Sequence, residues 1–357
     1  MRKLSSLSLV SLFLLSSLSG CVGSEYDRIV DYDIDEANQI WGQYDVHNYV
    51  KRTSPSNQSI EIAYKLLNNN EIYLLRYWEP FVFDRSELDW SEDPFNDWTW
   101  EFYFHSLRMV SYLMNAYEST ENLTYLNEAQ WFIESWMKHN PNPYQQASER
   151  AWDDHSTANR ITTFIYFWDY YRDSEIFDTE FANRFLNILR MHGEYTAESK
   201  NYMWGHNHGI YQDSALIHLS VLFPNYENSG EWLDIGFSRL SLHIQDGVTT
   251  SGVHKEHSPS YHYLVMKLFM GIAEFNHHYE IINDELDTVI YKMQEYLVHI
   301  AKSNGKIPLV GDSVATNILG ISQDQITNEH LLYLVSNGDE GVEISEESHV
   351  YIDAGVA

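Results

Sequence analysis

The sequence predicts an all-α fold of about ten helices, wound as a solenoid or an incomplete (α/α) toroid, with a β segment beginning near its end. Three observations carry this reading. Apolar residues recur at spacings of three and four over most of the chain from about residue 58. Short polar loops such as NPNPYQQ and FPNYENSG separate these segments, and no run of alternating apolar residues interrupts them. Only the tail, GVEISEESHVYIDAGVA, changes character and alternates as a strand would.

The elements follow in order. MRKLSSLSLVSLFLLSSLSGC has a basic start, an apolar run too short to span a bilayer and small residues before Cys21, so residues 1–21 read as an export signal. LSGC resembles a lipobox, which makes Cys21 the expected lipidation site and places the protein in the periplasm or on the cell surface, on a lipid anchor. Cys21 is the one cysteine, so no internal disulfide can form. Residues 22–40, including SEYDRIVDYDIDEANQ, lack helical periodicity and read as an acidic tether.

Residues 41–337 form the helical domain. In TENLTYLNEAQWFIESWMKHN the apolar positions Leu126, Ala129, Phe132, Ile133, Trp136 and Met137 define one helix face, with Thr120 or Asn122 as its cap. HSTANRITTFIYFWDYYRD repeats the pattern through Ala158, Ile161, Ile165, Trp168 and Tyr171, and DELDTVIYKMQEYLVHIAKSN through Leu286, Val289, Ile290, Met293, Leu297 and Ile300. Residues 338–357 would begin a further β domain that stops at Ala357.

Composition limits the partners. The 52 acidic and 22 basic residues give a formal charge of −30, a surface that repels nucleic acid and anionic headgroups. Saline surroundings would account for such an excess of acid and would screen it. The 11 Trp and 26 Tyr offer core area and flat platforms for sugar rings.

Four polar clusters stand out: AWDDHSTANR, WGHNHGIYQD and HKEHSPSYHY at expected loop-to-helix junctions, and KIPLVGDS in a loop. Singly, each has an ordinary explanation. Asp154 or Ser156 would cap one helix and Asn207 another. His206, His208 and His254 would be surface histidines, and Tyr261 would pack at the start of a helix running on through Met266 and Phe269.

Their order along the chain resembles the heparinase II/III superfamily of polysaccharide lyases. WGHNHGIYQDSALI is followed by EHSPSYHY and IPLVGDS, and preceded by NDWTWEFYFHSLRMVSYLMNAY and WDDHSTANRI, so the likeness covers about residues 40–320. It implies an (α/α) toroid followed by a β-sandwich, of which residues 338–357 would be the truncated beginning. It also implies cleavage of a uronate-containing acidic polysaccharide by β-elimination, without cofactor or metal. The carbon beside a charged carboxylate gives up its proton only if that anion is neutralised and the enolate-like intermediate stabilised. The resemblance assigns the first task to Asn207 and His208, and proton transfer to Tyr261. A phenol serves as a base only beside cations or hydrogen-bond donors, which His257, His262 or Arg160 would supply. His155, Arg160, Trp204, Gln212, Glu256 and His262 are expected to bind substrate, with His155, Arg160, Glu256 and His262 shaping the cleft or orienting the catalytic groups, and KIPLVGDS to fix a loop at its rim. The family takes a further histidine from its β-sandwich, a domain that residues 338–357 are expected only to begin.

Three other readings stay open. His206 and His208, with His254, His257 or His262, could bind zinc, although a helix starting there would separate the H-x-H rings. Asp153 or Asp154 with Asp213 or Glu256 could form a hydrolase pair. The chain could also be a non-catalytic, surface-anchored glycan-binding lipoprotein.

Overall fold

The computed structural model describes residues 54–302, 304–345 and 349–355, with the short stretch 28–32 and the single residues 26 and 50. Cys21, the signal-like segment and most of the acidic stretch after it lie outside the described residues. Among the described residues there are eleven α-helices: α1 (Asn57–Asn69), α2 (Trp98–His105), α3 (Arg108–Thr120), α4 (Leu123–His139), α5 (Asp154–Tyr171), α6 (Thr179–Ala197), α7 (Asn207–Leu222), α8 (Ser229–Gly247), α9 (Pro259–His278), α10 (Asp284–Ile300) and α11 (Glu329–Val335). Two short antiparallel strands, β1 (Glu71–Ile72) and β2 (Phe81–Val82), form the sheet found among the described residues. None of the described helices is long and apolar enough to cross a membrane.

Local chemistry sets the helix ends. Asn122 caps α4 by accepting from the Thr124 N–H, and Asp178 caps α6 through Phe181. On α5 the cap is Asp153, which accepts from Ser156, so neither Asp154 nor Ser156 holds that position. On α7 it is the His206 ring, and Asn207 is the first helical residue. The side chains of Asp154 and Asn207 are therefore available for other contacts.

Consecutive helices pair as α3·α4, α5·α6, α7·α8 and α9·α10. Alternate helices α3, α5, α7 and α9 also touch in succession, as do α6, α8 and α10, which gives the two layers of a helical toroid. In α5 and α7 most residues are buried, on every side of the helix, as an inner layer requires. Each inner helix is separated from the next by one antiparallel outer helix, so α3, α5, α7 and α9 run the same way. Their N-termini, and with them the positive ends of their dipoles, gather on one rim.

Aromatic residues mostly build the core rather than a sugar-binding face. Trp90, Trp100, Trp136, Trp152, Trp168 and Trp232 are buried, with stacked pairs such as Trp168 on Phe185 at 5.4 Å. Trp98 and Trp204 stay largely exposed. Residues 28–32 lie along α6: Val30 exchanges hydrogen bonds with the Asn187 carboxamide at 2.8 Å each way, and the Tyr32 N–H donates to Asn183. At the other end Tyr351 is buried against Tyr296, and Ile352–Ala354 form a 3-10 turn.

Candidate active site

Three of the polar clusters meet where the inner helices begin. AWDDHSTANR starts α5, WGHNHGIYQD starts α7 and HKEHSPSYHY leads into α9. The fourth, KIPLVGDS, folds over the start of α9: Ser313 Oγ is 3.1 Å from Ser258 Oγ, the α9 cap, and the Ser260 N–H donates to Ser313 Oγ.

Asn207 stands at the centre. It lines a cavity of 230 Å³ with Trp204, His206, Arg239, His243 and Glu256, and a second of 410 Å³ with Tyr261, Tyr263, Lys267 and Asp312. The Asn207 Oδ1 atom is buried and has no hydrogen-bond partner among the described residues. A buried polar atom in that condition costs free energy unless a ligand satisfies it. Tyr261 is 37% exposed and opens into the same cavity as Asn207. The offset of three between Tyr261, Leu264 and Lys267 runs along one side of α9 and brings the lysine into the same space.

His208 follows Asn207 on α7 and turns toward α5, where its Nδ1 lies 2.9 Å from Asp154 Oδ2. Its ring stacks on His155 at 4.1 Å, and His155 stacks in turn on Phe102 of α2 at 4.0 Å. Trp204, 58% exposed, stands edge-on to Tyr202 at 4.7 Å and lines the smaller cavity together with Glu256.

Three residues expected in the cleft lie elsewhere. Arg160 is fully buried: its Nε donates to His192 Nε2 and one terminal nitrogen to the His105 carbonyl, both at 2.7 Å, and its guanidinium lies 3.8 Å over the Trp136 ring. His262 is buried behind the loop, with Nε2 donating to the Met293 carbonyl at 2.9 Å and Nδ1 accepting from the His254 N–H. Burial pushes its pKa down to about 3, so it remains neutral and supplies no positive charge to Tyr261. Gln212 is also buried. Its carboxamide donates to the Asn201 carbonyl at 2.8 Å and accepts from the Met203 N–H, which holds the loop carrying Trp204. All three support the site from behind, because the helix face that points to the core, rather than the cleft, carries them.

Two of the carboxylates invoked for hydrolysis, Asp153 and Asp213, are also displaced, whereas Asp154 contacts His208 and Glu256 lines the smaller cavity. Asp153 is a helix cap, and Asp213 is buried, accepting from the Tyr202 hydroxyl at 2.9 Å. Burial raises the Asp213 pKa well above the usual carboxylate range. The same hydroxyl lies 2.7 Å from His243 Nε2, and burial lowers His243 to about 4. Gly209 makes this arrangement possible, since a Cβ there would sit 2.5 Å from both His243 Nε2 and the Met203 carbonyl oxygen. Among the described residues no three His, Cys, Asp or Glu side chains converge as a metal site would need.

Sequence reasoning did not find Lys267, Arg239, His243 or the Tyr202–Asp213 contact. The helical offset from Tyr261 was a usable signal for Lys267. His243 and Tyr202 meet only through the packing of α8 on α7, which leaves no local trace.

A two-layered helical ring with a polar cleft at the N-termini of its inner helices defines an (α/α) toroid. Residues 29–333 match the family profile described as Heparinase II/III N-terminus, and the chain belongs to that family. It is 24% identical over 208 residues to a heparin-sulfate lyase of Bacteroides thetaiotaomicron, covering 56% of this chain and 30% of that protein. It is likewise 24% identical over 236 residues to a heparin-sulfate lyase of Pedobacter heparinus, covering 65% of this chain and 35% of that protein. The chain thus spans about a third of the length of the curated relatives it matches. Among solved structures, a heparan sulfate lyase from Pedobacter heparinus superposes with a TM-score of 0.71 at 19% identity, over 88% of this chain and 51% of that one. A heparinase III does so with a TM-score of 0.75 at 17% identity, over 88% and 52%. At these identities the likeness to solved structures establishes the toroid fold.

Proposed function

We propose that this toroid acts as a polysaccharide lyase on a uronate-containing polymer of the heparan sulfate type, cleaving it by β-elimination. The observation that carries this reading is that Asn207 and Tyr261, from different helices, line one cavity. The names of the curated relatives supply the substrate class.

The chemistry follows from the reaction. A base removes the proton on the carbon beside the uronate carboxylate. The electron pair left behind forms the ring double bond, the C–O bond to the neighbouring sugar breaks, and the departing oxygen takes up a proton. Asn207 and His208 hold the carboxylate and spread the charge that develops on it. Tyr261 moves the proton, and Lys267 supplies the positive charge that a phenol needs to work as a base. Trp204 offers a sugar-stacking face, while Glu256 and His155 shape the rim. The inner-helix dipoles add positive potential on this rim of an otherwise acidic protein.

The N-terminal sequence supports export, with Cys21 as a lipid anchor; a Cys21→Ser variant would be released from membranes. The acidic surface supports a role without nucleic acid. The enzymatic test is absorbance. Heparan sulfate or another uronate polymer incubated with the protein should yield the ultraviolet-absorbing unsaturated uronide. Tyr261→Phe should lower that rate about 10²–10⁴-fold with binding retained. New reducing ends without the chromophore would mean hydrolysis and would overturn the lyase assignment, and polymer binding without any cleavage would leave a binding protein.

A further inference from the structure

A second cationic pocket lies apart from the cleft, at the start of α1 and α3. Its volume is 410 Å³, and Arg76, Arg108, Tyr73, Tyr77 and Ser56 contribute to its wall. In a chain with 52 acidic and 22 basic residues, two neighbouring arginines are expected to have carboxylate partners. Arg85, Arg150, Arg172, Arg184 and Arg190 do. Among the described residues, Arg76 and Arg108 make no ion pair; they lie on aromatic rings instead. The Arg76 guanidinium is 5.5 Å from the Tyr77 ring centroid, and that of Arg108 is 5.0 Å from the Tyr103 ring. Arg108 Nε donates to the Tyr112 hydroxyl at 3.1 Å, and that hydroxyl donates to the Leu74 carbonyl. The ring contacts and this hydrogen bond orient Arg108 and leave its terminal nitrogens for a planar or tetrahedral anion. Tyr77, 71% exposed, adds a stacking face.

The pocket is linked to the cleft by a line of rings. His208 stacks on His155 and His155 on Phe102; Phe102 lies 4.6 Å from Tyr103, which carries Arg108. We propose that Arg76 and Arg108, with Tyr77, form a distal subsite that grips a carboxylate or sulfate group on a sugar several units away from the one cleaved at Asn207. This rests on the acidic-polysaccharide reading above and adds to it a requirement for chain length.

The test is binding, measured apart from turnover. Isothermal calorimetry would compare the parent protein, Arg76→Gln with Arg108→Gln, and Tyr77→Ala, each first shown to melt like the parent. The probes are a heparan sulfate disaccharide, a heparan sulfate oligosaccharide long enough to follow the ring line, and inorganic sulfate. The double arginine variant should bind the long oligosaccharide about tenfold or more weakly, and Tyr77→Ala should weaken it less, while disaccharide affinity stays unchanged. Equal affinity of parent and double variant for the long oligosaccharide would overturn the proposal. So would an equal loss for both lengths, no binding of either length by the parent, or a sulfate ion as the one probe sensitive to the arginines. Failure of the lyase reading would show separately, as absence of the unsaturated product from the parent.

Discussion

His208 Nδ1 and Asp154 Oδ2 lie 2.9 Å apart and join the first turn of α7 to the first turn of α5. The contact fixes the angle of the His208 ring next to Asn207, and the His155 ring stacked on it at 4.1 Å closes off a second direction of movement. Two inner helices thus hold one imidazole, with no need for the loops between them.

Asp154 should therefore act as a positioning residue. Asp154→Asn is expected to lower kcat/KM by about 10–100-fold, with little change in melting temperature because the pair is partly exposed to solvent. Asp154→Glu should recover part of the loss and the parent pH profile. A large melting shift with unaltered kcat/KM would assign the contact to stability alone.

Gly209 should tolerate no side chain. A Cβ would lie 2.5 Å from the Met203 carbonyl oxygen, which is backbone, as well as from His243 Nε2. Gly209→Ala is expected to destabilise the protein by about 1–3 kcal/mol and to break the His243–Tyr202 contact. Chemical denaturation reads the first, and the imidazole resonances of His243 the second.

Arg160 illustrates how far the sequence reveals the site. The helices were legible because a 3.6-residue period survives in α4, α5 and α10, and the junctions were legible because His, Asn, Asp and Ser crowd them. Which face of a helix turns to the cleft was not. Arg160 and His262 are polar residues inside polar motifs, and only the packing of α5 on α6 and of α9 on α10 directs them inward. The opposite case is Lys267, an unremarkable lysine in mid-helix that packing delivers to Tyr261.

Arg160→Met should accordingly be a stability variant. It leaves His192 Nε2 and the His105 carbonyl without their 2.7 Å donor and is expected to cost about 2–4 kcal/mol in urea denaturation. KM measured on the folded fraction should match the parent, whereas a substrate contact would raise KM without shifting the midpoint.

His262 predicts the direction of acid sensitivity. Burial lowers its pKa from 6.5 to about 3, against a smaller upward pull from the Met293 carbonyl. His105 and His218 are held near the same value by burial. Between the unfolded value of 6.5 and the folded value of about 3, the unfolded chain binds a proton that the native one refuses. Stability is then complete above pH 6.5 and drains as pH falls toward 3. Gln at 262 keeps one acceptor for the His254 N–H and one donor for the Met293 carbonyl, but cannot titrate. His262→Gln should flatten the stability-against-pH curve over that window by the slope of one proton, about 1.4 kcal/mol per pH unit at most. Urea midpoints from pH 7 to pH 4 measure it; parallel curves for parent and variant would mean that His262 protonates in the native state as readily as in the unfolded one.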